Sequence, residues 1–230
     1  MNLTVLTGAG ISAESGLTTF RGQKGLWKDY DVTELASPKA WEKNPELVLE
    51  FYNKRRRKLL EAKPNEGHKT LAALEDWFNI NIITQNIDDL HERAGSTHII
   101  HLHGELKKAR STADPSLIYT IEGAELNPGD TCEKGSQLRP HVVWFGEPVQ
   151  YINEAIALAR QAEVFVVAGT SLAVYPAAGL LNYVHEDIPV YVIDPEPPDI
   201  QWVPNPGRIH TFAEKATSGL KKLKDTLTNA

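Results

Sequence analysis

Short hydrophobic runs alternate along this chain with longer amphipathic stretches. Aliphatic residues fill Leu3–Thr7, Ile80–Ile83, Val164–Ala168 and Val190–Ile193, and each run ends at a glycine or at polar residues. Continuous apolar runs of this length, separated by helical patterns, are typical of parallel strands covered by helices on both faces. The pattern therefore predicts a doubly wound α/β sheet, with functional residues just beyond the carboxyl ends of its strands.

Two segments interrupt this alternation. Residues from about 32 to 66 are helical in pattern, and residues from about 107 to 138 are polar, with several prolines and glycines. We expect them to form a smaller inserted lobe within a single domain that spans residues 1–230. The larger lobe would then comprise about 1–31, 67–106 and 139–230.

Composition and charge exclude several classes of protein. With 230 residues, 41% of them hydrophobic, the chain can bury a core without disulfides or metals. Its net charge of -6 gives no general attraction to nucleic acid or to anionic membranes. Cys132 is the single cysteine, no charged-then-apolar leader opens the chain, and the apolar runs are too short to span a bilayer. We therefore expect a cytoplasmic monomer with no nucleic-acid or membrane partner.

A glycine-rich turn directly follows the first hydrophobic run. Gly8, Gly10 and Ala13 fit the G-x-G-x-x-G/A pattern, in which glycines let backbone N–H groups approach a pyrophosphate. The motif alone is equally consistent with an ordinary strand-to-helix turn. The ribose-binding acid that dehydrogenases place about 20 residues later is missing, because Phe20–Trp27 intervenes. A hydride-transfer enzyme is therefore disfavoured.

A polar cluster, Thr84-Gln85-Asn86-Ile87-Asp88-Asp89, follows the second run. Amide and carboxylate side chains at a strand end can bind a carboxamide or a ribose, but they are equally suited to capping the next helix. We expect Asp89 to cap the helix. The position of Asn86 and Asp88 favours a functional role.

Two histidines, His101 and His103, precede Gly104. They could ligate a metal from one face of a regular strand, but no cysteine or third histidine lies close in sequence, so metal binding is the minor alternative. A histidine before glycine is often structural. At a strand end, however, His103 is the best candidate for a general base among the eight histidines.

Taken in order, these blocks resemble the sirtuin family over nearly the whole chain. The most similar members are the bacterial and mitochondrial sirtuins that accept acidic acyl groups. The blocks are Gly8-Ala9-Gly10-Ile11-Ser12 with Phe20-Arg21, Thr84-Gln85-Asn86-Ile87-Asp88, His103-Gly104-Glu105, Val142-Val143-Trp144-Phe145-Gly146-Glu147 and Gly169-Thr170-Ser171-Leu172.

The resemblance implies a Rossmann-like fold and an NAD-dependent protein-lysine deacylase. NAD would be consumed, with His103 as general base, to give free lysine, nicotinamide and O-acyl-ADP-ribose. The implied cofactor-binding residues are Gly8, Ala9, Gly10, Ser12, Glu14, Phe20, Arg21, Gln85, Asn86, Ile87, Asp88, Gly169, Thr170, Ser171, Asp194, Glu196 and Ala213. The implied substrate-binding residues are Tyr52, Arg55, Val143, Phe145, Gly146, Glu147 and Val174, of which the later ones would flank an extended peptide.

This sequence departs from the resemblance at two places. Asp194 stands where the family usually has Asn. Sirtuins usually hold structural zinc with two Cys-x-x-Cys pairs, but the matching segment, Arg110–Leu138, keeps Cys132 alone and contains no histidine. A closed zinc site needs four N or S ligands, so we predict that the protein binds no metal.

Tyr52 and Arg55 suggest the class of acyl group. They are three residues apart on a predicted helix, so a phenol and a guanidinium can converge on one carboxylate. The Tyr-x-x-Arg pair is similar to that of sirtuins that remove succinyl and malonyl groups. The alternative is that Arg55–Arg57 is a basic solvated stretch and Tyr52 a core aromatic.

Three other functions stay open at this point. Some sirtuin-like proteins are NAD hydrolases or ADP-ribosyltransferases, although the two peptide-binding blocks favour an acyl-peptide substrate. A non-catalytic NAD-sensing module is disfavoured because His103 and Asn86 are present. The third is an unrelated oxidoreductase on a similar fold.

Overall fold

The computed structural model describes residues 1–19, 32–200 and 202–229. The predicted cofactor residues Phe20 and Arg21 lie outside these ranges. The strands are β1 (Asn2–Thr7), β2 (Asn79–Thr84), β3 (Ile99–His101), β4 (Gly104–Ser111), β5 (Ile118–Thr120), β6 (Leu138–Val142), β7 (Val164–Ala168), β8 (Val190–Ile193) and β9 (Ile209–Phe212).

Six of these strands form a parallel sheet in the order β3-β2-β1-β7-β8-β9. β1 lies in the middle, with Leu6 beside Ile83 of β2 on one side and beside Val167 of β7 on the other. The order reverses at β1, which is where ligands bind in open α/β sheets. The predicted Rossmann-like α/β fold is confirmed.

Helices cover both faces of this sheet, and other helices lie away from it. The helices are α1 (Ala9–Ser12), α2 (Val32–Leu35), α3 (Pro38–Lys43), α4 (Pro45–Glu61), α5 (Glu66–Leu74), α6 (Leu90–Ala94), α7 (Ile152–Gln161) and α8 (Ala216–Thr228), with 3₁₀ segments at Ala13–Ser15, Ala177–Tyr183 and Pro206–Arg208. Successive strand residues point to opposite faces, so Val5 packs against α5 and α8 whereas Leu6 packs against α7. None of the described helices is long and apolar enough to cross a membrane.

A second, antiparallel sheet has the order β5-β4-β6 and runs from Gly104 to Val142. α4 packs against it and buries Phe51 and Tyr52 with Val142 and Trp144. The start of α4 is well defined, since the Asn44 side chain accepts a hydrogen bond from Leu47 N at 3.0 Å and Pro45 fills the first helical position. The predicted boundaries of the two lobes stay predictions.

Candidate active site

A cleft of about 1360 Å³ opens beyond the carboxyl ends of β1, β2, β7 and β8 and extends to α4. Ser12 and Asp88 are buried behind its wall, and Ala213 is exposed and does not line it. The other predicted residues that the structure describes line the cleft: Gly8, Ala9, Gly10, Glu14, Gln85, Asn86, Ile87, His103, Gly169, Thr170, Ser171, Asp194, Glu196, Tyr52, Arg55, Val143, Phe145, Gly146, Glu147 and Val174.

The glycine turns after β1 and β7 pack directly on each other at the floor of the cleft. Gly10 N donates to Gly169 O at 2.8 Å, and Gly8 N donates to Ala168 O at 3.1 Å. A Cβ atom on Gly10 would lie 2.7 Å from Gly169 Cα, and one on Gly169, whose φ is +64°, would lie 2.3 Å from Ile11 N. Only glycine permits this approach, so bare backbone is left at the cleft surface.

His103 has the geometry of a neutral base. Its Nδ1 lies 2.9 Å from the carbonyl oxygen of Gln85. Because a carbonyl oxygen only accepts, Nδ1 carries the proton and the lone pair is on Nε2. Burial lowers the pKa of His103, which keeps the ring uncharged near neutral pH. The next residue must be glycine, since Gly104 has φ +81° and a Cβ there would lie 2.1 Å from His141 O.

Asn86 is held by a buried hydrogen-bond network. Its Nδ2 donates to Gly8 O at 3.1 Å and to Ser12 Oγ at 3.2 Å, and Ser12 Oγ donates to Asp88 Oδ2 at 3.0 Å. Burial raises the pKa of Asp88, while its hydrogen bonds to Leu90 N and Ser12 oppose the rise. Asn86 is therefore fixed between the first glycine turn and the start of α6.

The expectation that Asp89 caps this helix is wrong. Asp89 occupies the capping position of α6, but its side chain makes no capping hydrogen bond. The carboxylate that accepts from Leu90 N, at 3.2 Å, is that of Asp88. The Asp89 carboxylate instead pairs with Lys107 at 3.1 Å. The two adjacent carboxylates therefore have different surroundings, one buried against Ser12 and the other half-buried and paired with Lys107.

His101 and His103 face different partners. His101 contacts the Asn86 carbonyl oxygen and the Glu92 carboxylate, whereas His103 contacts Gln85. Within residues 1–19, 32–200 and 202–229, no cluster of three or more His, Cys, Asp and Glu side chains has a metal-binding arrangement. Cys132 is buried, and its Sγ donates to Ser111 Oγ at 3.3 Å.

The three consecutive arginines of α4 lie in three environments. Arg55 is half-buried and lines the cleft beside Tyr52. Arg56 is fully buried and donates to Leu106 O, Ala124 O and Asn53 Oδ1 at 2.7–2.8 Å. Arg57 is exposed and pairs with Glu125. The alternative of a basic solvated stretch is therefore wrong for two of the three arginines.

Tyr52 is buried, and burial raises its pKa to about 12, although the charge of Arg55 opposes the rise. Burial lowers the pKa of Arg55, and the nearby Tyr52 and Asp88 oppose that change. Because a guanidinium keeps its proton in proteins, Arg55 stays charged at neutral pH. A neutral phenol and a guanidinium therefore share the α4 side of the cleft.

The loop after β6 forms another wall of the cleft. Val143 N donates to His103 O at 2.9 Å, so this loop runs beside the candidate base. The Glu147 carboxylate accepts hydrogen bonds from Trp144 N, Arg110 and Arg139 at 2.6–3.2 Å. Glu147 thus fixes the turn of this loop from within.

The sequence model described as "Sir2 family" matches residues 8–176. This chain belongs to the Sir2 family. It is similar to an NAD-dependent protein deacylase of Helicobacter pylori, with 52% identity over 93% of this chain and 95% of that protein.

Two solved Sir2 structures are also similar. One is an ADP-ribose complex of a mutant Sir2 homologue, with a TM-score of 0.91, 40% identity and coverage of 99% of this chain and 92% of that one. The other, a Sir2 complex with p53 peptide and NAD⁺, has a TM-score of 0.81, 30% identity and coverage of 99% and 94%.

The far end of the cleft in this Sir2-family protein is acidic. Asp194 and Glu196 follow β8, and Asp194 Oδ1 accepts from Glu196 N at 2.9 Å. Burial raises the pKa of Asp194. Glu14 accepts a hydrogen bond from Thr217 Oγ1 at 2.6 Å and pairs with Lys215 at 3.3 Å, so its carboxylate joins the first turn to α8.

Lys215 and Trp144 are among the residues lining the cleft that the sequence analysis does not assign to the site. Lys215 lines the cleft, where its ammonium pairs with Glu14. Trp144 belongs to the Val142–Glu147 block, but the sequence does not show which side chains it contacts. The structure shows its indole beside Tyr52 and under the Arg139 guanidinium, whose central carbon is 3.2 Å from the ring centroid.

Proposed function

We propose that this protein is an NAD-dependent protein-lysine deacylase that transfers the acyl group of a modified lysine to ADP-ribose. The observation that carries the proposal is the neutral His103, with its Nε2 lone pair available, in a cleft that also contains the two glycine turns and Asn86. The similar proteins include a protein deacylase and Sir2 structures with ADP-ribose and with NAD⁺, and they support the same activity.

The residues of the cleft fit a dinucleotide. The Gly8–Gly10 and Gly169–Ser171 turns present backbone and small side chains that suit phosphates and a ribose. Asn86 lines the cleft and suits a carboxamide, with Asp88 behind the wall linked to it through Ser12. Asp194 with Glu196 suit the hydroxyls of a second ribose. When bound, NAD supplies an activated ribose carbon that accepts the acyl oxygen as nicotinamide leaves.

His103 would remove a proton from a ribose hydroxyl through Nε2. The Gln85 carbonyl holds the opposite nitrogen in its protonated form, so the tautomer is set before substrate binds. The wall formed by Val143–Glu147 and Val174 would hold the acylated peptide in extended form, mostly through its backbone. Such binding reads little sequence, and we therefore expect many protein substrates.

For the acyl group, we propose that succinyl and malonyl are accepted as well as acetyl. Tyr52 and Arg55 line the cleft together, and a buried phenol O–H and a guanidinium both donate to a carboxylate. Acetyl-lysine lacks that carboxylate, but it would react with the same general base, His103. The absence of zinc, the cytoplasmic location and the monomeric state stay predictions.

The test measures three quantities with acetyl and succinyl peptides: deacylated peptide, nicotinamide and O-acyl-ADP-ribose. A deacylase gives all three in equal amounts. His103→Ala should abolish turnover while keeping the fold and much of the NAD binding, whereas His98→Ala, at an exposed histidine, should behave as the wild type. Nicotinamide release that needs no peptide would identify a hydrolase, and NAD binding without turnover would identify a sensor.

A further inference from the structure

His101 forms a bridge between a helix and the loop that carries Asn86. Its Nε2 lies 2.6 Å from Glu92 Oε1 on α6, and its Nδ1 lies 3.2 Å from the backbone carbonyl oxygen of Asn86. The imidazole is buried at the end of β3, where Leu102 N donates to Thr84 O. His101 therefore touches the cleft loop from behind without entering the cleft.

The two contacts require two protons. A carbonyl oxygen only accepts, and an ionised carboxylate only accepts, so both ring nitrogens of His101 must donate. The ring is then an imidazolium, unlike the neutral His103 two residues later. The successive carbonyls of Gln85 and Asn86 thus each accept from one histidine, the first from His103 and the second from His101.

We propose that His101, as a cation linking Glu92 to the Asn86 carbonyl, is a positioning residue that holds the Asn86 amide in the cleft. This inference rests on the proposed function, since Asn86 is expected to contact NAD. If His101 lost one proton, the remaining one would stay with the charged and closer Glu92. The Asn86 carbonyl would then lose its donor in a buried place, which weakens the position of the loop.

The charges around His101 agree with this arrangement. Burial acts to lower its pKa, but the hydrogen bond and charge of Glu92, with the charge of Glu105 on β4, outweigh burial and raise it. Asp88 in the cleft loop also faces His101 and carries the same sign as Glu92. His91 on α6 is the neighbouring titratable base, and burial lowers its own pKa well below the ordinary value, so it adds no competing charge.

The experiment follows both His101 and Asn86 with pH. The ¹⁵N resonances of the His101 ring report its protonation, and the side-chain amide resonances of Asn86 report the loop. We expect His101 to titrate above an ordinary histidine and the Asn86 amide to shift over the same pH range. In steady-state assays, the KM for NAD should rise about tenfold as His101 loses its proton, with a smaller change in kcat.

Glu92→Gln is the decisive variant because Gln keeps an acceptor oxygen but removes the charge. Both titrations, and the rise in KM, should move to lower pH. Glu105→Gln is the matched control: its carboxylate also faces His101 but bonds to Lys108, so it should move the curves less.

Two results would overturn the inference. One is a His101 ring with only one protonated nitrogen at neutral pH. The other is that the Asn86 amide resonances and the KM for NAD do not change as His101 titrates. The amide readout needs no turnover. It therefore decides the role of His101 even in a protein that does not consume NAD, which would instead refute the proposed function.

Discussion

The indole Nε1–H of Trp144 donates a hydrogen bond to the phenol oxygen of Tyr52 at 3.1 Å. The phenol oxygen therefore has its acceptor role filled by protein, and the Tyr52 O–H remains a donor for another group. Because burial raises the pKa of Tyr52 to about 12, the phenol keeps its proton at every working pH. The hydrogen bond from Trp144 therefore leaves the Tyr52 O–H as a donor, although the two residues are 92 positions apart in the chain.

This relationship leads to a prediction of acyl selectivity. Tyr52→Phe and Arg55→Met should each lower kcat/KM for a succinyl peptide about tenfold to hundredfold, because each removes a donor to a buried carboxylate. The value for a matched acetyl peptide should change much less. Lys54→Met, which removes an exposed cation on the same helix, is the control and should leave both values unchanged. Equal losses on both peptides would show that the pair does not recognise the acyl group.

The packed glycine turns predict a difference between two glycine substitutions. Gly169→Ala combines a positive φ with a Cβ 2.3 Å from Ile11 N, and it should reduce the free energy of unfolding by roughly 2–4 kcal/mol and weaken NAD binding. Gly123→Ala has φ +76° but nothing within 4 Å, so it should cost about 1 kcal/mol and leave NAD binding intact. Chemical denaturation and calorimetry measure both quantities. Equal effects at the two sites would argue against the close packing.

Acid should destabilise the protein through its buried neutral histidines. Burial lowers the pKa of both His68 and His141 from 6.5 to about 4, while the unfolded chain keeps ordinary histidines. The unfolded state therefore binds more protons between these values, and stability present above about pH 6.5 is lost as pH falls toward 4, by roughly 3 kcal/mol for each group.

Denaturant unfolding at a series of pH values between about 7.5 and 4.5 checks this prediction. His141→Gln should flatten the profile, because the variant has one fewer buried base to protonate in the unfolded chain. His98→Gln, at an exposed position, should leave the slope as it is. If the free energy of unfolding falls with pH by the same slope in the wild type, His141→Gln and His98→Gln, the low pKa given to His141 is wrong.

The small lobe should fold without zinc. Cys132 contributes its thiol to a hydrogen bond with Ser111 and to a hydrophobic cluster with Leu49, Ala109 and Leu138. We expect untagged protein to contain far less than one zinc per chain, and Cys132→Ser to keep the fold and the activity. Stoichiometric zinc, or unfolding by a chelator, would refute this prediction.

The sequence predicts the four central strands of the parallel sheet, β2, β1, β7 and β8, because their signal is local, but it does not predict the short edge strands β3 and β9. Val164–Ala168 and Val190–Ile193 are the strands β7 and β8 to the residue, since a buried parallel strand must be apolar throughout. The strands of the antiparallel sheet were missed because β4 contains Lys107, Lys108 and Arg110 and has no apolar run.

The candidate site was predictable wherever a motif follows a strand, as at His103. Contacts between residues that are distant in the chain were not predictable. Asp88 and Asp89 are adjacent carboxylates, and their different burial depends on how the loop packs on Ser12. The partners of Trp144 and the double contact of His101 likewise depend on residues distant in the chain.

The contact between Gly10 and Gly169 has a consequence for synthesis of the chain. About 160 residues separate these two glycines, and translation at roughly 5–20 residues per second needs on the order of 8–30 s to cover that distance. β1 is made first, but its β7 neighbour emerges only after that interval. A nascent chain truncated before residue 164 would therefore leave the backbone N–H and C=O groups on one edge of β1 unpaired, and the Gly8–Gly10 turn would have no partner.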